Sequence, residues 1–272
     1  MQARISLDGR EIAVDLSRPV DLALELDFSG PQPRHFGAPR ASARPFEAAG
    51  FKGSVARGSS CNCELITLIP HCNGTHTECA GHLTLERLDA WRVTPAGLVP
   101  ALLLSVAPGP AAGEDSEPSP QTGDQLITRR ALEQAWPARV PFEPRALIIR
   151  TLPNTPDKRA RDYTGQTPPY LSQQAAALLV GRGIQHLIVD VPSIDRTHDE
   201  GRLTAHRIFF GLPRGAVQLA EAARPGATIT ELAYVPDTLG DGACLLELQV
   251  PALTGDAVPS RPLLYPLTER TP

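Results

Sequence analysis

The densest group of chemically capable side chains lies in residues 71–82, which read HCNGTHTECAGH. Three imidazoles, two thiols and one carboxylate fall within these twelve positions. Residues two apart face the same side of an extended segment, so His76 and Glu78 can reach one point. Imidazole and carboxylate groups are common ligands of zinc, manganese and iron. The segment therefore predicts a site for a divalent metal, zinc or manganese, with a position left open for water.

The cysteines of this segment allow other interpretations. Cys79 lies three residues before His82, and a metal-free thiol enzyme would use such a pair as nucleophile and base. Cysteine also packs well as a small buried hydrophobe, which needs no chemistry. A structural zinc finger is disfavoured because the chain has no paired C-x-x-C spacing. A non-catalytic protein that keeps the fold and binds a small molecule is a further alternative.

Short apolar segments are predicted to form the framework around this group. Asp8-Gly9 predicts a tight turn in a β-hairpin over residues 4–16. Thr128 and Ser172 are predicted to cap the two main helices. The predicted strands are residues 61–70, 101–107, 146–150, 187–191, 228–235 and 244–250. A strand, a helix and a strand in succession indicate a parallel crossover unit, so we expect one α/β domain over residues 1–272 with mixed sheets and few helices.

Residues 71–82 resemble the signature H-x-G-T-H-x-D-x-P-x-H of the metal-dependent cyclase-like hydrolases, a family that includes bacterial kynurenine formamidase and isatin hydrolase. The match is carried by Gly74-Thr75-His76, Glu78 and His82. Further stretches similar to family motifs are residues 15–19, 149–151, 189–195 and 205–206, Glu231 and, loosely, residues 259–262. The resemblance covers nearly the whole chain and implies the swivelling β/β/α fold of this family.

The resemblance also implies roles for particular side chains. His76, Glu78, His206 and Glu231 would be ligands of a one- or two-metal site. His82 would be the catalytic histidine that transfers a proton.

This chain departs from the family motif at three positions. Counted back from Gly74, the first histidine of the motif falls on Cys72, and His71 stands one residue too early. Either the Cys72 thiolate is a ligand, or a local bulge brings His71 inward as its substitute, or this ligand is lost. Glu78 replaces the usual aspartate with an arm one methylene longer, and Ala80 replaces the usual proline.

On this resemblance we expect a metal-dependent amidohydrolase. It would be similar to an arylformamidase, which converts N-formylkynurenine to kynurenine and formate in tryptophan catabolism, or it would hydrolyse a cyclic amide or lactone. The expected partner is a small-molecule substrate. The family resemblance also implies a homodimer, in which the Pro- and Gly-rich arm at residues 29–57 would reach across the interface.

Polar residues outside the motif carry little information by themselves. On pattern alone, His206 is a polar position on a short helix capped by Thr204. Glu231 is an acid in a strand-like run, and it needs a cation or a hydrogen-bond donor if it is buried. His35 and His186 are interpreted as structural. Asp190 and Asp195 flank a strand end, where sites of α/β sheets often lie, but a turn or cap role is at least equally consistent with the sequence.

Composition excludes some classes of function. The chain has 26 Lys and Arg against 30 Asp and Glu, a formal charge of −4, so it lacks the concentrated positive charge that nucleic acids require. No apolar run approaches the roughly 18–20 residues of a membrane helix, and the amino end lacks the order of a secretory signal. We therefore expect a cytoplasmic protein that binds neither nucleic acid nor membrane.

Overall fold

A mixed β-sheet forms the centre of the protein, as seen in a computed structural model that describes residues 1–267. The strands, in chain order, are β1 (Gln2–Leu7), β2 (Arg10–Asp15), β3 (Val20–Asp21), β4 (Ser42–Pro45), β5 (Glu64–Thr67), β6 (His76–Cys79), β7 (Leu98–Val106), β8 (Leu126–Ile127), β9 (Ala146–Thr151), β10 (Tyr170–Leu171), β11 (His186–Val189), β12 (Thr228–Glu231), β13 (Gly242–Gln249), β14 (Ala257–Pro259) and β15 (Arg261–Pro266). The α-helices are α1 (Ala90–Val93), α2 (Arg129–Ala135), α3 (Gln173–Gly181) and α4 (Thr204–Phe210). The expected α/β class with mixed sheets and few helices is confirmed for the described residues.

Within residues 1–267 the central sheet has nine strands, in the spatial order β14-β6-β12-β11-β9-β7-β13-β15-β3. Strands β12, β11, β9 and β7 run parallel to one another. Strand β6 lies antiparallel beside β12, and β14 lies antiparallel beside β6. The carboxyl ends of parallel strands share one edge of a sheet, which is where ligand sites of open α/β sheets lie.

The parallel strands are buried on both faces, which explains their nearly continuous apolar sequences. In β9, Leu147 and Ile149 pack in the core that includes α3 and α4. Ile148 faces the opposite core, together with side chains of β13. The strands predicted over residues 101–107 and 146–150 are confirmed with small differences at their ends.

Side-chain hydroxyls cap the amino ends of α2 and α3, as predicted. Oγ1 of Thr128 accepts a hydrogen bond from the amide of Ala131 at 3.1 Å. Oγ of Ser172 accepts one from the amide of Ala175 at 2.9 Å. Since α3 falls between β9 and β11 in the chain and these strands pair in parallel, the predicted crossover unit is confirmed.

Left-handed backbone angles turn or end strands at two places. Asp8 and Gly9, with φ of 48° and 73°, connect β1 and β2 in the predicted hairpin. Leu232 has φ of 54°, a conformation that does not continue a strand. The strand predicted over residues 228–235 is therefore shorter than expected and ends at Glu231.

The arm at residues 29–57 contributes β4 to a separate two-stranded sheet. Its partner is β5, which occupies only the middle of the strand predicted over residues 61–70. All four side chains of β5 are exposed. The helices within residues 1–267 do not combine the length and apolar character that a membrane crossing requires.

Stability is expected to depend on the protonation of His186, a buried residue at the start of β11. Its Nδ1 lies 2.9 Å from Oγ1 of Thr228. Burial, with a smaller effect of the positive charge of Arg145, lowers the pKa of His186 to about 4. The pKa in the unfolded chain is about 6.5. Between these values the unfolded state binds more protons, so stability falls as the pH falls.

Replacement of His186 by a residue that does not titrate should reduce this loss. Denaturant titrations at about pH 7 and about pH 5 measure the free energy of unfolding. The variant His186→Gln should lose roughly 2 kcal/mol less than the parent protein between these pH values. An equal decrease in the free energy of unfolding of both proteins would show that protonation of His186 does not destabilise the folded state.

Candidate metal centre

Strand pairing places three of the residues singled out in the sequence on one buried face. In the antiparallel pair of β6 and β12, Glu231 lies directly opposite His76. Glu78 is two residues along β6 and so lies on the same face. Nε2 of His76 is 3.5 Å from Oε2 of Glu231, and all three side chains are buried. The sheet therefore brings early and late parts of the chain together at the predicted site.

Thr75 fastens the segment before β6 to three other parts of the chain. Its hydroxyl accepts a hydrogen bond from the amide of Leu24 at 2.8 Å and donates one to the carbonyl of Leu232 at 2.5 Å. Its carbonyl accepts from the amide of Ser260 at 3.0 Å. Gly74, just before it, has φ of 108°, which a side chain would disfavour. These constraints give a physical reason for the Gly-Thr-His sequence.

Helix α4 brings His206 to the same point. The Asp195 carboxylate accepts hydrogen bonds from the amides of Ala205 and His206 at 2.8 and 3.0 Å. Asp195 thus caps α4, whereas Thr204, predicted as the cap, is the first helical residue. The same carboxylate accepts a hydrogen bond from Nδ1 of His206 at 2.6 Å. One aspartate therefore sets both the start of the helix and the orientation of the imidazole.

Oxygen acceptors hold Nδ1 of His76 and of His206, so Nε2 of each of these two imidazoles faces the carboxylates. The carbonyl oxygen of Gly74 lies 3.0 Å from Nδ1 of His76 and can only accept, so this nitrogen carries the proton. Nε2 of His206 lies 2.8 Å from Oε1 of Glu78 and 3.5 Å from Oε1 of Glu231. This arrangement allows the lone pair of each Nε2 to bind a cation. We call His76, Glu78, His206 and Glu231 the inner donors, because each could donate a lone pair to a metal ion.

His71, His82 and Asp256 form a more open mouth beside the inner donors. The two imidazole rings are stacked, with centroids 4.5 Å apart. Oδ2 of Asp256 lies 3.0 Å from Nε2 of His71 and 3.1 Å from Nδ1 of His82. Oε2 of Glu78 lies 3.7 Å from Nε2 of His71 and 3.9 Å from Nε2 of His82. The histidine side chains are 28% and 26% exposed, so a solute can reach the mouth.

Opposite charges control the titration of the inner donors. Burial would raise the pKa of Glu231, but the neighbouring imidazoles of His206 and His76 outweigh it and hold this pKa well below its usual range. Burial also opposes ionisation of Glu78, yet the charges of His82 and His206 lower its pKa. Burial would lower the pKa of His206, and the charge of Glu78 raises it well above its ordinary value. The two carboxylates are therefore ionised and need positive charge beside them.

The inner donors fit a divalent cation. Nε2 of His76 is buried without a hydrogen-bond partner among the described residues. An unpaired polar atom of this kind costs about 1–3 kcal/mol, which a cation bound to it would offset. Ligands bound to one zinc ion at about 2.0–2.2 Å lie roughly 2.8–3.6 Å apart. The distances of 2.8, 3.5 and 3.5 Å between the inner donors fall within this range, and since His76 and His206 face different oxygens of Glu231, two neighbouring ions would fit them as well as one.

Cys72 lies outside the groups of atoms that are close enough to share an ion. Within residues 1–267 these groups are His76, Glu78 and Glu231, and His71, Glu78 and His82. His206 is in neither group, but its Nε2 lies 2.8 Å from Oε1 of Glu78 and 3.5 Å from Oε1 of Glu231. Cys72 is buried, and burial raises the pKa of its thiol. Of the alternatives for the first histidine of the motif, the geometry brings His71 to the donors and leaves Cys72 in the packing.

Cys79 faces the side of β6 away from Glu78. Its Sγ donates a hydrogen bond to the carbonyl of Leu88 at 3.2 Å and packs with Ala90 and Val258. Burial raises the pKa of this thiol to about 12. A thiol that stays protonated at neutral pH is a poor nucleophile, so these observations argue against the thiol enzyme.

No sequence pattern points to Asp256. This residue is 174 positions after His82, in the connection between β13 and β14, and it belongs to no recognised motif. Asp195, which the sequence places in a family-like stretch and favours as a turn or cap residue, both caps α4 and holds His206. A carboxylate that supports a histidine from another element has no local sequence signal, because the contact exists only in the folded chain.

Several solved structures have a similar fold. A predicted metal-dependent hydrolase from Bacillus stearothermophilus is 16% identical, with a TM-score of 0.57 over 91% of this chain and 98% of that chain. Isatin hydrolase A from Labrenzia aggregata, bound to benzyl benzoate, is 18% identical, with a TM-score of 0.59 over 91% and 93%. A structure described as a novel cyclase is 13% identical, with a TM-score of 0.60 over 92% and 89%. At these identities the likeness establishes the fold alone.

A family comparison extends this result to the sequence. No curated protein matches the chain significantly in sequence. The model of the family described as "Putative cyclase" matches residues 14–196, which is more than half of the chain and includes His71, His76, Glu78 and His82. The fold, the motif and this match agree, and the chain belongs to the cyclase family of hydrolase-like enzymes.

Proposed function

We propose that the protein is a metal-dependent hydrolase that cleaves an amide-like bond in a small-molecule substrate. The observation that carries the proposal is the convergence of Nε2 of His76 and His206 on the buried carboxylates of Glu78 and Glu231. Buried imidazoles whose Nδ1 atoms are held by oxygen acceptors are typical of metal sites. Burial of two neighbouring carboxylates costs stability unless a cation or a proton lies between them.

In this proposal the inner donors hold a zinc or manganese ion. When bound, such an ion activates water at neutral pH and polarises the substrate carbonyl. Glu78 presents Oε1 to His206 and Oε2 to the mouth, so its longer arm reaches both groups. His71, whose Nε2 faces Oε2 of Glu78, takes the place of the first histidine of the family motif.

His82 is the proposed proton carrier. Its Nε2 is on the side of Glu78, and its ring is partly open to solvent at the mouth. In amide hydrolysis the water oxygen bonds to the carbonyl carbon, the C–N bond breaks, and one proton of the water reaches the leaving nitrogen. A histidine within reach of that nitrogen performs this transfer as a general acid.

The proposed substrate is an aryl formamide, similar to N-formylkynurenine, or a cyclic amide or lactone. The support is the resemblance of Gly74-Thr75-His76, Glu78 and His82 to the motif of kynurenine formamidase and isatin hydrolase. Isatin hydrolases are also among the proteins of similar fold. Both named activities break a C–N bond of an aryl amide, which is the bond type that the proposed centre would cleave.

The metal is expected to depend on His76 and not on Cys72. The variant His76→Ala removes a nitrogen donor from the inner donors and should lose the bound metal and the hydrolysis together. The matched variant Cys72→Ala should keep both, because Cys72 belongs to neither group of donors. Elemental analysis of freshly purified protein measures the metal. A folded His76→Ala variant with full metal content would disprove this ligand assignment.

His82 is expected to act in turnover and not in metal retention. The variant His82→Gln should keep the metal of the inner donors, whereas kcat for the best-cleaved formyl anilide or lactone should fall by about 10²–10⁴. Steady-state kinetics and elemental analysis of the same preparation give both values. Unchanged kcat would exclude the proton transfer, and loss of all metal would make His82 a ligand instead.

The exposed arm supports a further proposal, that the protein is a homodimer. The large apolar side chains exposed in and beside the arm are Phe36, Phe46, Val55, Leu65, Ile66 and Ile69. Within residues 1–267, β4 and β5 pair only with each other. A lone two-stranded hairpin is marginally stable in water. A second copy of the chain packed on this surface would stabilise the hairpin and bury its apolar side chains.

Sedimentation tests the homodimer directly. The parent protein should sediment as a dimer at micromolar concentration, and Ile66→Asp should shift it towards monomer by placing a charge in the interface. The matched variant Leu253→Asp changes an exposed leucine that lies away from the arm and β5, and it should remain dimeric. A parent protein that is monomeric throughout the concentration range would refute the proposal.

A further inference from the structure

We propose that Asp256 is a positioning residue that fixes the tautomer and the orientation of His82. The inference rests on the proposed proton transfer by His82 and adds a residue that neither the motif nor the family match assigns. Its basis is the 3.1 Å contact between Oδ2 of Asp256 and Nδ1 of His82.

The backbone holds Asp256 firmly beside the histidine segment. Its carbonyl accepts a hydrogen bond from the amide of Cys79 at 3.0 Å, and the carbonyl of Gly255 accepts one from the amide of Ala90 at 2.8 Å. Directly after Asp256, β14 pairs with β6, with Ala257 opposite Glu78. The carboxylate is therefore tied to the strand that carries two of the inner donors.

Asp256 contacts His82 on the side of the ring that faces away from the inner donors. Asp256 faces Nδ1 of His82, whereas Oε2 of Glu78 lies 3.9 Å from Nε2. The two nitrogens of an imidazole point in diverging directions, so Asp256 and Glu78 cannot share one cation with this ring. A carboxylate only accepts, so the proton of neutral His82 stays on Nδ1 and the lone pair of Nε2 faces the site.

His71 completes the support of this ring. It stacks on His82 with an interplanar angle of 29°, and its Nε2 lies 3.0 Å from the same Oδ2 of Asp256. The stack restricts tilting of the His82 ring, and the carboxylate restricts its rotation about the Cβ–Cγ bond. Partners of this kind, which hold a functional imidazole from behind, typically contribute about 10- to 100-fold to activity.

The alternative role for Asp256 is that of a ligand, with His71, of a second cation. The two roles differ in what removal of the carboxylate changes. A positioning residue alters the His82 ring and turnover but leaves the metal in place. A ligand lowers the number of metal ions bound per chain.

The test compares Asp256→Ala with Asp89→Ala as a matched control. Asp89 is a nearby carboxylate that pairs with Arg87 and Arg92 and directly precedes Ala90, the residue bonded to Gly255. The readouts are the ¹⁵N shifts of the His82 ring, assigned by comparison with His82→Gln, together with metal content, kcat and KM. Thermal unfolding shows whether each variant is folded.

The expected result is specific to Asp256→Ala. The His82 ring should change from the single Nδ1–H tautomer to a mixture, and kcat should fall about 10- to 100-fold with KM and metal content unchanged. Asp89→Ala should match the parent protein in all of these. A folded Asp256→Ala variant that keeps the tautomer and kcat would overturn the proposal, and so would a loss of one metal equivalent.

The ring readout needs no substrate, so it separates this inference from the proposed function. If no amide or lactone is cleaved even by the parent protein, a tautomer change in Asp256→Ala still supports the positioning role. In that case only the proposed hydrolysis fails. If amides are cleaved and the tautomer does not depend on Asp256, the hydrolysis stands and the positioning role fails.

Discussion

Two carboxylates buried among imidazole nitrogens are the constraint on which the rest of the centre depends. Glu78 and Glu231 are 1% and 4% exposed; Nε2 of His206 lies beside both, and Nε2 of His76 lies beside Glu231. Because Nδ1 of each imidazole is held by another oxygen, a lone pair of the neutral ring would face each carboxylate. Nitrogen and oxygen lone pairs at 2.8 Å repel each other unless a proton or a metal ion lies between them. The arrangement is therefore built to hold positive charge.

The sheet makes this arrangement possible through its register. His76 and Glu231 are opposite each other in an antiparallel pair, and a slip of one residue would turn their side chains to opposite faces. The left-handed Leu232 ends β12 immediately after Glu231, although the amide of Ala233 still donates a hydrogen bond to the carbonyl of Val189 in β11. Asp195 adds His206 from a helix that starts beyond the neighbouring strand β11. The sheet register and the position of α4 thus bring Glu231 and His206 from distant parts of the chain to His76 and Glu78.

The sequence alone predicted the parts whose causes are local. Thr128 and Ser172 predict the starts of two helices because their hydroxyls can cap the first turn, and aliphatic runs predict buried strands. The spacing of His76 and Glu78 predicts a shared face because strand geometry has a period of two. The early end of β12 and the support of His82 by Asp256 depend on contacts between distant segments, and no local pattern encodes them. The choice between Cys72 and His71 depends on the path of the backbone before β6, which the motif does not specify.

The hydroxyl and carbonyl of Thr75 join segments that begin near residues 24, 232 and 260. These hydrogen bonds tie the segment that carries His76 to three distant parts of the chain, so this segment cannot shift without breaking them. Side chains held by a segment fixed in this way would lose little conformational entropy on binding an ion.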